Sequence, residues 1–234
     1  MSITLFGTCR INNILNNNNL NNYLNYTHST KEVIQLIKFL KGELVIPEPY
    51  NKLCFRNVIT GNKFIYYKFK KYYSKICKKL FVDTDTFIIE ICSSKKYTHN
   101  NFYLHHLCVD KRFSSCNKNT PKEILNNFII EKQSDEEIEN DILEIQKMLY
   151  PKKIIIVSHY NVKKDGQYLN SRNHLINLLD NICKKYNITF INPTIVLSSY
   201  SQEQVMTSDL GHYTIIGIEQ FSKYMNNFLN KKST

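Results

Sequence analysis

Three residues that could together carry out acyl transfer lie at opposite ends of this 234-residue chain. Cys9 follows a short apolar run in the sequence G-T-C-R, and Asp209 and His212 form a D-x-x-H sequence near the other end. A carboxylate three residues before an imidazole can accept its Nδ1–H and fix the tautomer, which leaves the other ring nitrogen to act as a base. The pattern predicts a thiol nucleophile, an imidazole base and an orienting acid.

The turn around Cys9 is suited to a reactive thiol. It leads into a predicted helix, and both the N-terminal helix dipole and the charge of Arg10 favour the thiolate. The backbone N–H groups of this turn could hold a developing oxyanion. Arg10 could also orient a carboxylate or phosphate of a substrate, or form a structural ion pair. Thr8 carries a hydroxyl, but no residue beside it in the sequence would activate it.

Apolar runs alternate with amphipathic patterns along the chain, which predicts a parallel sheet covered on both faces and a single domain over residues 1–234. The predicted strands span 3–6, 86–92, 153–158 and 188–191. Predicted helices follow a cap at Ser29 or Thr30 and a capping box at Ser134, and others span 64–80, 173–185 and 215–229. Residues 95–130 are more polar and are predicted to form an insertion over one end of the sheet. The acidic run 135–144 is expected to be a solvated helix face.

Further polar candidates follow the predicted strands, where the chemistry of a parallel sheet gathers. Ser93 and Ser94 come directly after the strand 86–92, and Asn161 follows the strand 153–158. His28 precedes a capped helix and could line the same edge of the sheet or belong only to the cap. Arg10, Arg56 and Arg172 stand out because only four of the 31 basic residues are arginine.

The adjacent pair His105 and His106, with Cys108 close behind, is only superficially similar to a zinc-binding sequence. On a strand the two imidazoles would point apart, and no acidic residue follows closely, so the sequence favours a polar lining of a substrate cleft over a metal site. The seven cysteines have no paired metal spacing and are expected to be reduced thiols. No Gly-rich phosphate loop or dinucleotide motif indicates a cofactor.

The net charge of +11 raises the question of a nucleic-acid partner. Phosphate and base recognition favour arginine, which is scarce here, and no helix-turn-helix, zinc-finger or RNP pattern is visible. The lysine excess is therefore interpreted as solvated surface, with an anionic partner as the alternative. The apolar runs are too short to cross a bilayer and no secretory signal is evident, which predicts a soluble, cytoplasmic protein.

The order of these motifs resembles the SGNH (GDSL-like) hydrolase superfamily. Its first block, G-D-S, follows the first strand, and its last block is D-x-x-H before the terminal helix, with a glycine five residues after the histidine. This chain has Asp209, His212 and Gly217 in the sequence DLGHYTIIG. Cys9 takes the position of the nucleophilic serine, which is similar to capsular-polysaccharide biosynthesis enzymes with a G-N-C-Q block and to GSCFA-type proteins.

The resemblance implies a three-layer α/β/α, flavodoxin-like fold and acyl-ester chemistry on an acylated carbohydrate or another small acyl ester. Hydrolysis and acetyl transfer both occur in such families, and acetyl-CoA is the donor expected for transfer. The superfamily's third block supplies an asparagine as oxyanion donor, whereas this chain has Ser93 and Ser94 there, with Asn161 as a second candidate. Gly61 is either the second-block glycine or a plain turn glycine. A non-catalytic binding protein on the same fold, with a basic surface for an anionic glycan or nucleic acid, is the alternative.

Overall fold

The computed structural model describes residues 2–15, 27–54, 78–113, 117–118 and 120–231. Their contacts divide them into two compact units. The first unit comprises the described residues within 1–22, 84–92 and 151–234, and the second those within 23–83 and 93–150. Arg56, Gly61 and most of the predicted helix over 64–80 lie outside the described residues.

Nine strands occur in the described part of the chain: β1 (Ile3–Phe6), β2 (Thr86–Ile91), β3 (Lys95–His99), β4 (Phe102–Tyr103), β5 (Ile129–Lys132), β6 (Lys153–Ser158), β7 (Lys163–Lys164), β8 (Gln167–Tyr168) and β9 (Thr189–Ile191). The α-helices described there are α1 (Cys9–Leu15), α2 (Thr30–Lys41), α3 (Tyr50–Leu53), α4 (Lys78–Asp83), α5 (His106–Val109), α6 (Lys122–Asn127), α7 (Asp135–Leu149), α8 (Asn170–Lys185), α9 (Pro193–Val196), α10 (Gln202–Val205) and α11 (Ile215–Lys231). A short 3-10 helix spans Lys111–Phe113.

The first unit is built on a parallel sheet with the strand order β1-β2-β6-β9. The strands are continuous apolar segments, and every residue of β2 is buried. Such segments require cover on both faces of the sheet, because apolar side chains from successive positions point to both faces. The predicted parallel sheet is confirmed, and the four predicted strands end within one residue of their observed positions.

Helices cover both faces of this sheet. Alternate strand residues, among them Leu5, Ile88 and Ile155, form one buried cluster with α1 and α11, and the Ser222 hydroxyl of α11 donates to the Ile14 carbonyl of α1 at 2.7 Å. The intervening residues, such as Ile89, are buried on the opposite face, and α8 packs along β6 and β9. The unit has the predicted three-layer α/β/α arrangement.

Gly217 allows the last helix to approach its neighbour. A Cβ atom at this position would overlap the Val205 carbonyl of α10 and lie 3.2 Å from the Tyr213 Cβ. The glycine five residues after His212 is therefore needed for the close contact between α10 and α11. This contact fixes the end of the loop that carries the D-x-x-H sequence.

The second unit contains an antiparallel sheet with the order β4-β3-β5, which the sequence analysis did not predict. Residues 95–130 were expected to be irregular, but Asn100 and Asn101 adopt positive φ angles of 47° and 67° and join β3 to β4 as a two-residue hairpin. Asparagine tolerates this conformation, so the Asn-Asn pair was a readable hairpin signal. The predicted strict alternation of strands and helices is wrong here.

The helix caps predicted for this unit are confirmed. The Ser29 side chain accepts the Glu32 N–H at the start of α2, and Ser134 and Glu137 form the reciprocal capping box of α7. Within the part of the chain that the structure describes, no helix combines the length and apolar composition needed to cross a bilayer.

One acidic residue of the run 135–144 on α7 is buried, contrary to the expectation of a solvated face. The Asp141 carboxylate accepts the Thr30 hydroxyl at 2.6 Å and the Gln133 amide at 2.8 Å, and it pairs with the Lys31 ammonium at 2.7 Å. Helical spacing turns this position toward α2, where a hydrogen-bonded carboxylate is tolerated because its partners replace water. Asp141 therefore ties α7 to α2.

We expect Asp141→Ala to lower the free energy of unfolding by about 3 kcal/mol, because it leaves a partly buried ammonium and two buried polar groups without their acceptor. Urea denaturation measures the change. Asn140→Ala, at the exposed position directly before it on the same helix, is the matched control and should not lower stability, because alanine has the higher helix propensity. Equal losses in the two variants would contradict the structural role of Asp141.

Candidate active site

A buried carboxylate organises the turn that follows β1. Glu90, near the carboxyl end of β2, is 3% exposed. Its Oε2 accepts the Thr8 backbone N–H at 2.8 Å and the Thr8 hydroxyl at 2.5 Å, and its Oε1 pairs with the Arg10 Nε at 3.3 Å. The carboxylate thus fixes the residues on both sides of Cys9.

Gly7 makes this approach possible. A Cβ atom at Gly7 would lie 2.6 Å from the Ile11 Cγ2 and 2.8 Å from the Glu90 Cβ, closer than such atoms come in proteins. The glycine of G-T-C-R is therefore required by packing against Glu90. Thr8 itself is buried, and its hydroxyl is held by Glu90.

Cys9 is the first residue of α1 and is partly exposed. Of the cysteines that the structure describes, only Cys9 and Cys92 are not buried. Burial raises the pKa of the Cys183 thiol to about 12 and also raises the pKa of the Cys54 thiol. Neither buried thiol is suited to act as a nucleophile, because the thiolate is the reactive form.

The D-x-x-H loop is closed on itself by hydrogen bonds. The His212 Nδ1 lies 2.6 Å from the Asp209 Oδ2, and the other carboxylate oxygen accepts the Thr207 hydroxyl at 2.6 Å and the Gly211 N–H at 2.7 Å. These bonds hold the pKa of Asp209 well below its usual range, and the bond from the Thr207 hydroxyl has the largest effect. The carboxylate is therefore ionised at neutral pH and is placed to accept the Nδ1–H of an exposed imidazole.

Two arginines hold the backbone of this loop. Arg10 donates from Nη1 to the Gly211 carbonyl at 3.0 Å, and Arg172 donates from Nη1 to the Leu210 carbonyl at 3.0 Å. Leu210 has a φ of 55°, a conformation that a leucine adopts only when its surroundings impose it. Burial, followed by the charge of Arg10, lowers the pKa of Arg172 to about 10.

These contacts connect the two ends of the chain. Arg10 follows Cys9 directly, and its partner Gly211 directly precedes His212. The sheet thus brings the turn after β1 and the loop before α11 to one edge, as the sequence predicted from their order. Arg10 serves as the structural ion pair that the sequence left open beside a substrate role. Burial by itself would lower the pKa of Arg10, but the surrounding groups, with the charge of Glu90 first among them, together outweigh burial and raise that pKa.

Asn161 is engaged in the structure of its own loop. Its backbone N–H donates to the Thr194 hydroxyl at 2.7 Å, and its side-chain amide donates to the Asn173 oxygen at 2.8 Å. These bonds join the segment after β6 to the starts of α8 and α9. As an oxyanion donor, Asn161 would have to use a side-chain amide that already donates to Asn173.

Ser93, Ser94 and His28 belong to the second unit, so their predicted roles beside Cys9 stay predictions. The Ser93 N–H donates to the His28 carbonyl at 2.9 Å, and the Ser93 hydroxyl accepts the Lys95 N–H at 3.0 Å. His28 also sits beside the start of α2, where its backbone N–H donates to Glu32 at 2.9 Å. Both the cap and the site interpretation of His28 remain compatible with this position.

The prediction that His105 and His106 point apart on a strand is wrong. His105 caps α5, where its Nδ1 accepts the Leu107 N–H at 3.2 Å, and the two neighbouring imidazoles are stacked with centroids 4.6 Å apart. The ring of His28 contacts both. The helical turn, rather than an extended strand, places the two rings on the same side.

Glu90 is the site residue that the sequence analysis missed. It was readable as the single charged residue inside the apolar strand sequence T-F-I-I-E-I, since an unpaired carboxylate would not be tolerated in a buried strand. The sequence did not reveal the partners of Glu90, because they lie in a turn about 80 residues away.

The fold and the site define an α/β protein with a parallel sheet. At the carboxyl edge of that sheet lie the turn that contains Cys9 and the loop in which Asp209 contacts His212. The sequence model of the TviD N-terminal domain family matches residues 1–123 and 117–229, and the chain belongs to this family. It is 25% identical over 223 residues to the Vi polysaccharide biosynthesis protein TviD of Salmonella typhi, a match that covers 78% of this chain and 25% of that protein. The chain thus spans about a quarter of that relative's length.

Among solved structures, a GDSL-like lipase of Parabacteroides merdae is similar with 12% identity and a TM-score of 0.43, over 95% of this chain and 92% of that one. A mutant acetyl-xylooligosaccharide esterase of Geobacillus is similar with 13% identity and a TM-score of 0.42, over 96% and 91% of the two chains.

We expect Glu90→Gln to lower the free energy of unfolding by about 3 kcal/mol, because the amide leaves the largely buried Arg10 guanidinium without its counter-charge. Chemical denaturation measures the loss. Glu219→Gln removes the same charge at an exposed position of α11 and should be nearly neutral. A Glu90→Gln protein as stable as this control would show that the ion pair does not hold the turn.

We expect Thr207→Val to raise the pKa of Asp209, because it removes the hydroxyl donor that lowers this pKa most. In the native protein the folded-state pKa lies below the unfolded value of about 3.9, so Asp209 stabilises the fold above about pH 4 and this contribution is lost as the pH falls. Carboxyl-carbon NMR titration of Asp209 measures the shift. An unchanged titration curve in Thr207→Val would contradict the assignment.

Proposed function

We propose that this chain makes and breaks acyl esters of a carbohydrate through a thioester on Cys9. His212 is the general base, and Asp209 is the carboxylate that orients it. The observation that carries the proposal is the 2.6 Å contact between Asp209 and His212 on a loop that Arg10, the neighbour of Cys9, binds at 3.0 Å. Nucleophile, base and orienting acid in this order are the elements of a triad.

In the first step, His212 removes the thiol proton and the Cys9 sulfur attacks the acyl carbonyl carbon. The resulting tetrahedral oxyanion collapses by breaking the bond between the acyl carbon and the leaving group. The leaving oxygen or sulfur takes the proton back from His212, which leaves a neutral imidazole and an acylated Cys9. Asp209 does not change protonation state, which fits a carboxyl whose pKa is held low.

In the second step, His212 removes a proton from the acceptor hydroxyl, whose oxygen attacks the thioester carbon. Breaking the carbon–sulfur bond releases the acylated acceptor, and the Cys9 sulfur recovers the proton from His212. With water as the acceptor the reaction is ester hydrolysis, and with a sugar hydroxyl it is acyl transfer. Acetyl-CoA would be the acyl donor in the transfer reaction.

The oxyanion of both steps needs hydrogen-bond donors. The Cys9 N–H lies in the first turn of α1, where an α-helix supplies no acceptor of its own. The resemblance to SGNH proteins implies Ser93 or Ser94 as the second donor. A carbohydrate substrate is supported by the family relative, which is a polysaccharide biosynthesis protein.

The test follows acylation of the protein by mass. Intact protein is incubated with p-nitrophenyl acetate or with acetyl-CoA, and we expect one acetyl group on Cys9. His212→Gln should slow acylation about 10²–10⁴-fold through loss of the base. Cys92→Ala, at the other described cysteine that is not buried, is the matched control and should be acylated like the native protein.

The outcome separates the alternatives. Release of free acetate at every turnover supports hydrolysis, whereas a stable acetyl-enzyme that is discharged by a sugar acceptor supports transfer. Acetylation that persists in Cys9→Ala would remove the nucleophile assignment. If Cys9→Ala retains every measurable activity, the non-catalytic binding protein is the better account.

A further inference from the structure

Three imidazoles from distant parts of the sequence meet in the second unit. His28 comes from the segment before α2, and His105 and His106 come from the start of α5. One ring nitrogen from each lies within 4.8 Å of the other two. The His28 ring meets the other two edge-on, with centroid distances of 4.7 and 4.4 Å.

The chemistry of this cluster suits a divalent transition metal. Neutral imidazole is the commonest metal ligand among side chains, and three histidines with an open fourth position are a recurrent zinc set. Zn–N bonds of about 2.0–2.1 Å place tetrahedral ligand atoms roughly 3.4 Å apart. Small rotations of the three side chains would therefore close the cluster around one ion. His105 is buried and the other two are partly exposed, which leaves one side open to solvent.

A buried carboxylate stands behind the cluster. The Glu32 Oε2 lies 3.5 Å from the His28 Nδ1 and accepts the His28 backbone N–H at 2.9 Å. Glu32 is 7% exposed. Histidines that bind metal through one nitrogen commonly offer the other N–H to such a carboxylate, which fixes the tautomer and increases the basicity of the ligand. Glu32 is positioned to do this for His28 when Nε2 is the ligand.

His105 would have to change one hydrogen bond. While its Nδ1 accepts the Leu107 N–H, the proton of the neutral ring is on Nε2. Binding a cation at Nε2 transfers that proton to Nδ1 and releases the Leu107 amide. At 3.2 Å this bond is at the long end of the normal range and is exchanged for a bond to the metal.

We propose that His28, His105 and His106 bind one Zn²⁺ ion, with Glu32 supporting His28 and a fourth position open to water or an anionic oxygen ligand. The site lies wholly within the second unit and does not depend on the proposed acyl chemistry. The sequence disfavoured a metal because two adjacent imidazoles on a strand would point apart and no acidic residue follows them closely. The fold supplies the third imidazole and the carboxylate from a segment more than 70 residues earlier.

The test measures zinc bound to the full chain after treatment with a chelator and dialysis against Zn²⁺. We expect one zinc per chain in the native protein and in His174→Ala, which removes an exposed histidine on α8. His28→Ala, His106→Ala and His105→Asn should each lose this zinc or bind it at least tenfold more weakly. Asparagine at 105 retains an oxygen that can accept the Leu107 N–H, so this variant tests the ligand while keeping the cap.

Cobalt substitution identifies the ligands. A histidine site should give visible d–d bands without the near-ultraviolet thiolate charge-transfer band, whereas that band would assign the ion to cysteines and overturn the proposal. Native stoichiometry and affinity in folded His105→Asn would also overturn it, as would the failure of the native chain to retain zinc. Labelling of Cys9 in the same variants should be unchanged, which separates this result from the proposed acyl chemistry.

Discussion

The buried carboxylate of Glu90 is the interaction on which the edge of the first unit depends. A charge inside an apolar parallel strand is costly unless every lone pair finds a partner. Thr8 and Arg10 supply those partners. Because Arg10 also binds the Gly211 carbonyl, this carboxylate holds the turn after β1 and connects it, through the Arg10 guanidinium, to the loop before α11.

The candidate site combines a rigid frame with an accessible base. The backbone around His212 is fixed by Asp209, by the two arginines and by the bridge between Met206 and Tyr213. The His212 ring itself is more than half exposed. Such a frame reduces the entropy lost on orienting the imidazole, while exposure leaves the ring open to solvent.

The second unit contains both a buried carboxylate with hydrogen-bond partners and a cluster of packed imidazoles. The buried carboxylate of Asp141 is satisfied within this unit by Thr30, Lys31 and Gln133. The three imidazoles are instead packed ring against ring. This ring packing gathers three imidazoles, a common class of metal ligand, in one place.

Local patterns were sufficient for the parallel strands, for two helix starts and for part of the candidate site. Continuous apolar runs determined the parallel strands, and Ser29 and Ser134 determined two helix starts, because capping and strand burial depend on neighbouring residues. The Asp209–His212 contact likewise follows from a spacing of three residues. Only the tertiary structure decided that Glu90 holds Arg10, that Asp141 is buried, and that His28 meets His105 and His106. Each of these joins residues far apart in the sequence, and a buried charge or ring reveals its partner only when the chain has folded around it.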